Sequence, residues 1–315
     1  MQRILVTGGC GFIGSNFINY VLDNDLVESV VNIDKCTYAS NPDFVKEKYR
    51  KSKRYSLYAD DISKKLSVVS NKFDYIFHFA AESHVDNSIK DPSPFIESNV
   101  LGTFNIVNWG FQNNIPTVVV STDEVYGSLS WKEASSDEDS LLKPSSIYSS
   151  SKAAADLIAL SYYKTHNYDV RITRCTNNFG PHQHKEKFIP NTILKIKNKE
   201  KIPVYGDGQN IREWIWVEDH CHAVFNVALN GKAGNVYNIG SGNEQRNIDV
   251  VNMLLDIMCE SKDLISFVED RKGHDKRYSL DSSKIVLETG WYPKVTESNF
   301  EEYLVKTVDY YCKDR

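Results

Sequence analysis

The sequence predicts an α/β protein with a doubly wound parallel sheet in its first half and a smaller C-terminal α/β region that binds substrate. Three observations lead there. Apolar runs of strand length recur at residues 4–6, 29–33, 75–79 and 117–121, with enough chain between them for crossover helices. That alternation belongs to a parallel sheet covered on both faces. A glycine-rich segment stands directly behind the first run, and past about residue 175 the texture changes, with Gly206, Gly208, Gly234, Gly240 and Gly242 punctuating shorter elements. Residues 1–175 are therefore expected to form the sheet domain and 176–315 mainly the substrate region, with elements free to interleave and a cleft between the two.

With 315 residues, 41% of them hydrophobic and 25% charged, the chain can bury a sizeable core. A formal net charge of -5 argues against a nucleic-acid-binding face while leaving room for a local basic pocket around a small anion. The six cysteines, Cys10, Cys36, Cys175, Cys221, Cys259 and Cys312, form no Cys-x-x-Cys pair and no His/Cys run of zinc spacing, so reduced thiols and no metal are expected. The chain enters at once into Arg3-Ile4-Leu5-Val6, too short for a signal peptide or a membrane span. The reading is a soluble, cytoplasmic protein without nucleic-acid or membrane partners.

The first strand runs into Thr7-Gly8-Gly9-Cys10-Gly11-Phe12-Ile13-Gly14, after which a helix is expected over residues 14–22. Glycines at 8, 11 and 14 permit the tight turn, the close approach of a pyrophosphate and the packing of helix on strand, and the helix N-terminus attracts the anion. The next strand ends in Asp34, 20 residues after Gly14. A carboxylate there accepts from the adenosine ribose hydroxyls and repels a 2′-phosphate, which favours NAD over NADP, with Lys35 softening the preference. The context makes this half a Rossmann-type dinucleotide domain.

Helices are further expected from Pro94 through Gln112 and over residues 151–166. Between them, the strand at 117–121 leads into Thr122-Asp123-Glu124. The carboxyl ends of strands face the ligand crevice in open α/β sheets, although two acids there also suit a solvated turn with a helix cap. Tyr148 and Lys152 stand four apart, hence on one face if the helix begins here. A lysine so placed can lower the phenol's pKa and bind the nicotinamide ribose, letting Tyr148 act as a base. Asp61, followed by Ile62, reads equally well as a helix N-cap.

With these motifs the sequence resembles the extended short-chain dehydrogenases, and within them the dTDP-glucose 4,6-dehydratases and their UDP-glucose counterparts, over essentially the whole chain. It shares His78-Phe79-Ala80-Ala81-Glu82-Ser83-His84-Val85-Asp86, Asn177-Asn178-Phe179-Gly180-Pro181 and Asp270-Arg271-Lys272-Gly273-His274-Asp275. The Thr-Asp-Glu run discriminates it from related 4-epimerases and UDP-glucuronate decarboxylases. The resemblance implies tightly held NAD, met by Gly8, Gly11, Phe12, Ile13, Gly14, Asp34, Lys35, Thr37, Asp61, Ile62, Phe79, Ala80, Ala81, Ser83, Tyr148, Lys152 and Asn178. It implies that Tyr148 takes the proton of the sugar O4, Thr122 hydrogen-bonds that oxygen, Glu124 removes the C5 proton and Asp123 protonates the departing C6 hydroxyl. Substrate contacts carried over are Ser83, Thr122, Asn177, Lys187, Phe188, Pro203, Tyr205, Arg212, Asn247, Arg271 and His274. A homodimer through the helices around 94–112 and 151–166 is also implied, as is a step toward rhamnose or another deoxysugar.

Two departures bear on the nucleotide. Asn87 stands where bacterial dTDP-glucose members commonly carry Arg, and Lys272 replaces the usual Pro before Gly273-His274. Thymine and uracil differ by one methyl, worth about 1–3 kcal/mol in an apolar pocket, so both dTDP-glucose and UDP-glucose stay open. A non-catalytic NAD-binding regulator is the alternative of another class, although it would have no need of Thr122, Asp123, Glu124, Tyr148 and Lys152 together.

Overall fold

The computed structural model describes residues 1–64, 66, 72–270 and 274–313. Its strands are β1 (Arg3–Thr7), β2 (Ser29–Asp34), β3 (Tyr55–Ala59), β4 (Tyr75–His78), β5 (Thr117–Thr122), β6 (Val170–Cys175), β7 (Asn177–Phe179), β8 (Ile202–Tyr205), β9 (Ile211–Trp216), β10 (Val236–Ile239), β11 (Glu244–Arg246) and β12 (Ile265–Val268). Seven of them form one parallel sheet in the order β10-β6-β5-β4-β1-β2-β3. The strand order reverses between β1 and β4, where a crevice opens at the carboxyl ends of the strands.

Alternation within the strands places the core. Ile4, Val6, Phe77, Val118 and Val120 pack with Phe17 and Val21 of the helix Phe12–Asp23 and with Val224 of the helix Val217–Asn230. On the other face Leu5 and Ile76 meet Ile106, and Val119 meets Val107 and Ala159, from the helices Thr103–Asn113 and Ile147–His166. Successive side chains point to opposite faces, so a strand buried on both reads as a continuous apolar run. β5 does so, with all six residues buried.

The remaining strands read differently. β3 is an edge strand that buries only Tyr55. β6 carries Arg171 and Arg174, yet every residue in it is buried. The second half also returns to the sheet: helix Val217–Asn230 covers one face and β10 extends the edge beside β6. The rest of that half forms its own body, with β9 between β7 and β11, β8 paired to β12, and a core that includes Ile193, Val204, Trp214, Leu254 and Leu304.

Two local features set up the site. The helical stretch from Ser93 to Asn113 is interrupted by a π-helical segment at Ile96–Gly102. The helix expected from 151 starts earlier, at Ile147, because Ser146 caps it: its side chain accepts from the Ser149 N–H, and the Ser149 side chain accepts from the Ser146 N–H. That reciprocal cap holds the first turn, and Tyr148 and Lys152 fall within the helix. No helix among the described residues is long and apolar enough to cross a membrane.

Candidate active site

A cleft of about 400 Å³ runs along the carboxyl ends of the sheet strands and collects the predicted catalytic and cofactor residues. At one end lies the glycine turn. Gly8 has φ +75, and a Cβ on it would stand 2.5 Å from the Ala80 backbone nitrogen. A Cβ on Gly14 would stand 2.3 Å from the Gly8 carbonyl oxygen. The turn thus closes only without side chains, and it leaves the N-terminus of the helix Phe12–Asp23 facing the cleft.

Asp34 is buried at the end of β2. One of its oxygens accepts from the Cys10 N–H at 2.8 Å, and the other from the Cys36 N–H at 2.7 Å and the Ser40 hydroxyl at 3.0 Å. Lys35 reaches across to Asp61 at 2.9 Å. Asp61 also accepts from the Ser63 backbone and hydroxyl. Burial raises its carboxyl, but those Ser63 bonds and Lys35 outweigh it and hold the pKa at about 2. Asp61 therefore caps its own turn and faces the cleft at once.

At the other end β5 runs into a 3₁₀ turn, Asp123–Tyr126, capped by the Thr122 hydroxyl, which accepts from the Glu124 N–H at 3.3 Å. Thr122 also donates to Asp123 Oδ1 at 3.1 Å, while Asp123 Oδ2 is buried without a hydrogen-bond partner. Burial, with the Glu124 charge beside it, pushes the Asp123 carboxyl well above its ordinary range. Glu124 is only half-buried.

Tyr148 and Lys152 face this pair. Burial pushes the Tyr148 phenol far up, the Glu124 charge adds to it, and hydrogen bonding with Thr122 pulls the other way. Lys152 Nζ donates to the Val120 carbonyl at 2.8 Å. Burial lowers the Lys152 pKa, and Asp156, one turn on, opposes that. Asp156 in turn holds Arg174 at 2.9 Å, and Arg174 donates to the Tyr126 hydroxyl at 2.8 Å, which makes a buried ionic floor under the site.

Every residue expected to meet the cofactor lines this cleft, as do Ser83, Thr122, Asn177 and Lys187 of the substrate set. Lys187 Nζ donates to the Ser83 carbonyl at 2.8 Å. The other substrate residues stand on the second body. Arg212 donates to the Asp275 carbonyl at 3.0 Å and lies 4.5 Å over the Tyr278 ring. Its charge reaches Asp123, which it lowers. His274 pairs with Asp270 at 2.6 Å and meets Tyr205 edge-on. Asn247 starts the helix Asn247–Ile257, Pro203 is exposed on β8, and Phe188 stacks on Trp214. Arg271 lies outside the described residues.

Sequence reading missed several residues of the site. Buried Asn99, in the π-helical segment, accepts from the Glu82 N–H and donates to the Glu82 carbonyl, clamping the strand-end loop before Ser83. It also donates to Ser151, at 2.9 Å. Tyr38 and Glu186 form a hydrogen-bonded bridge with Asn87, already singled out in the sequence: Asn87 donates to the Tyr38 hydroxyl at 3.0 Å and that hydroxyl to Glu186 at 3.2 Å. Buried His220 meets Asn178 at 2.9 Å. The π-helical register at Asn99 carries no sequence mark, and the other contacts join segments far apart in the chain.

The family model described as GDP-mannose 4,6 dehydratase matches residues 5–306. A low-salt glycan biosynthesis protein, Agl12, of Haloferax volcanii is 45% identical over 99% of both chains. The dTDP-glucose 4,6-dehydratase of Streptomyces antibioticus is 41% identical over 100% of this chain and 93% of its own. The solved dTDP-glucose 4,6-dehydratase DesIV of Streptomyces venezuelae, with NAD bound, superposes with a TM-score of 0.93 at 41% identity, covering 99% of this chain and 98% of its own. A UDP-glucose 4-epimerase of Thermotoga maritima, at 23% identity and a TM-score of 0.88 over 99% of each chain, shares the fold.

Proposed function

The chain belongs to the GDP-mannose 4,6-dehydratase family, and from that premise we propose that it is an NAD-dependent hydro-lyase converting dTDP-glucose to dTDP-4-keto-6-deoxyglucose and water. The observation that carries this reading is the buried, partnerless Asp123 oxygen beside half-buried Glu124, opposite Tyr148. An epimerase needs no such pair of acids. The thymidine nucleotide is favoured over uridine by relatives named for dTDP-glucose that span nearly the whole chain.

The cleft suits NAD: the glycine turn accepts a pyrophosphate, Asp34 accepts from a ribose, and Ser121 and Thr176 keep buried hydroxyl oxygens without partners along its wall. When bound, NAD supplies a hydride acceptor and donor at its nicotinamide. Tyr148 holds the hydroxyl on sugar carbon 4 together with Thr122, and takes its proton as that carbon is oxidised. The ketone at carbon 4 acidifies the proton on carbon 5, which Glu124 removes as general base. Asp123, kept protonated by burial and by the Glu124 charge, gives its proton to the hydroxyl leaving carbon 6, and water departs; the alkene so formed takes up the hydride at carbon 6 and a proton at carbon 5, which gives the 4-keto-6-deoxy sugar. Lys152 orients the ribose side of the cofactor. Lys187 and Arg212 offer cations to the diphosphate.

Ile96, Leu101 and Phe104 on one helical stretch and Leu157 on the helix beside it are exposed apolar residues, which supports pairing of two copies through this face. The keto-deoxysugar product suits deoxysugar synthesis, rhamnose included.

The deciding experiment compares dTDP-glucose with UDP-glucose, monitoring the 4-keto-6-deoxy product. In Glu124→Gln, carbon 4 oxidation is expected to persist while water elimination falls by about 10²–10⁴. A product that keeps its carbon 6 hydroxyl, or unimpaired elimination in the variant, would sink the assignment.

A further inference from the structure

Asp34 has neighbours that the proposed reaction leaves unused. Cys10 lies in the glycine turn and Cys36 two residues past β2, and their sulfurs and an Asp34 oxygen all lie within 4.8 Å of one another. Cys10 and Asp34 are buried, and Cys36 is exposed. The backbone holds the group together, since the Cys10 and Cys36 N–H groups donate to opposite oxygens of Asp34 at 2.8 and 2.7 Å. Asn32 anchors Cys10 from behind, donating to its sulfur at 3.3 Å. None of the six cysteines is in a disulfide.

We propose that Cys10, Asp34 and Cys36 form a site for a soft divalent cation of the Zn²⁺ class, filled in competition with the dinucleotide. Two thiolates and a carboxylate supply three ligands and leave a fourth position for water. Sulfur ligands select Zn²⁺ or Cd²⁺ over Mg²⁺ and Ca²⁺. Binding changes no oxidation state: each thiol loses a proton to solvent as its sulfur ligates the metal. The charge pattern points to a cation in preference to a disulfide. A carboxylate beside two thiols opposes the free thiolate that peroxide attack requires, whereas a divalent cation offsets two of the three negative charges it gathers. Lys35, next to Asp34 in sequence, has its ammonium paired with Asp61 at 2.9 Å.

Competition follows from the shared carboxylate, since an Asp34 oxygen committed to a metal is lost to a ribose hydroxyl. This half of the inference rests on the placement of the adenosine ribose at Asp34 proposed above.

The test is a Cd²⁺ titration of the full-length protein, freed of nucleotide and kept reduced with a non-thiol reductant, followed by thiolate-to-cadmium charge-transfer absorbance and equilibrium dialysis. One Cd²⁺ per chain is expected. Cys36→Ser, which changes an exposed side chain, should remove about half of the absorbance, one thiolate of two, and weaken binding at least tenfold. Cys259→Ser should change neither. No absorbance at saturating Cd²⁺, or an unchanged band in Cys36→Ser, overturns the site. Saturating NAD should weaken Cd²⁺ binding in the wild type. If NAD leaves the band untouched while Cys36→Ser abolishes half of it, the metal site stands and the competition, with the ribose at Asp34, falls.

Discussion

Glu213 offers a prediction whose size follows from its surroundings. It lies fully buried in β9, and its two oxygens accept separately from the Gly242 N–H at 2.8 Å and the Leu280 N–H at 2.9 Å. Burial pushes its pKa from the ordinary 4.5 to about 7, with those backbone bonds holding it down. A carboxyl raised in the folded state binds its proton more tightly there than in the unfolded chain. Stability therefore falls as pH rises from about 4.5 to about 7 and is level above that. At about 1.36 kcal/mol per pH unit, the rise is worth about 3 kcal/mol. Glu213→Gln removes that dependence, because an amide does not ionise in this range. It also sets an NH₂ against one of the two backbone donors, at a cost of about 1–3 kcal/mol at every pH.

Below pH 4.5 the variant should thus be the less stable protein, and by pH 8 it should have recovered about 3 kcal/mol relative to wild type. Urea unfolding at pH 4.5, 6, 7 and 8, with the difference between the two proteins read at each, gives the result directly. A difference that is flat across this range would refute the assignment of a neutral Glu213 at acid pH. Activity carries a second signature. The Glu213 charge is one of the groups raising Asp123, so its removal should move the alkaline limit of water elimination to lower pH.

Two further perturbations separate the floor of the site from its glycine turn. Asp156→Ala leaves the buried Arg174 guanidinium without its partner at 2.9 Å, and should cost about 3–5 kcal/mol in denaturant unfolding; a loss under about 1 kcal/mol would mean that water reaches Arg174. Gly14→Ala sets a Cβ 2.3 Å from a backbone oxygen, whereas the nearest atom to a Cβ on Gly11 is 3.4 Å away. The first variant should lower the melting temperature and weaken NAD binding at least tenfold, and the second should leave the melting temperature near wild type; equal melting temperatures for both would contradict the turn geometry.

How far the sequence could be read depends on whether a feature is local. The glycine turn, Asp34 and the Tyr148/Lys152 spacing are constrained within a few residues of chain, and each was placed in the cleft where its local chemistry required. β6 does not read as an apolar run because Arg171 and Arg174 interrupt it, while Asp156 and the carbonyls of Val227 and Ala228 hold them inside. β10 escaped because its place in the sheet is decided by a partner more than 60 residues earlier. The Cys10 and Cys36 thiols are 26 positions apart, a spacing that belongs to no metal motif, and only the parallel pairing of β1 with β2 brings them together.

The pair at the end of β5 shows how one backbone feature divides two identical functional groups. Residues in a 3₁₀ turn succeed one another at about 120°, so the turn that begins at Asp123 cannot give both carboxyls the same surroundings. Asp123 is directed inward, 4% exposed, with one oxygen bonded by Thr122 and the other by nothing. Glu124 stays half-buried. Burial raises the pKa of the more buried residue most, and the charge of the more exposed one adds to it. On the roles proposed above, the separation of acid from base is built into the turn itself. Thr122 strengthens it, since the same hydroxyl that caps the turn through the Glu124 N–H also fixes Asp123 Oδ1.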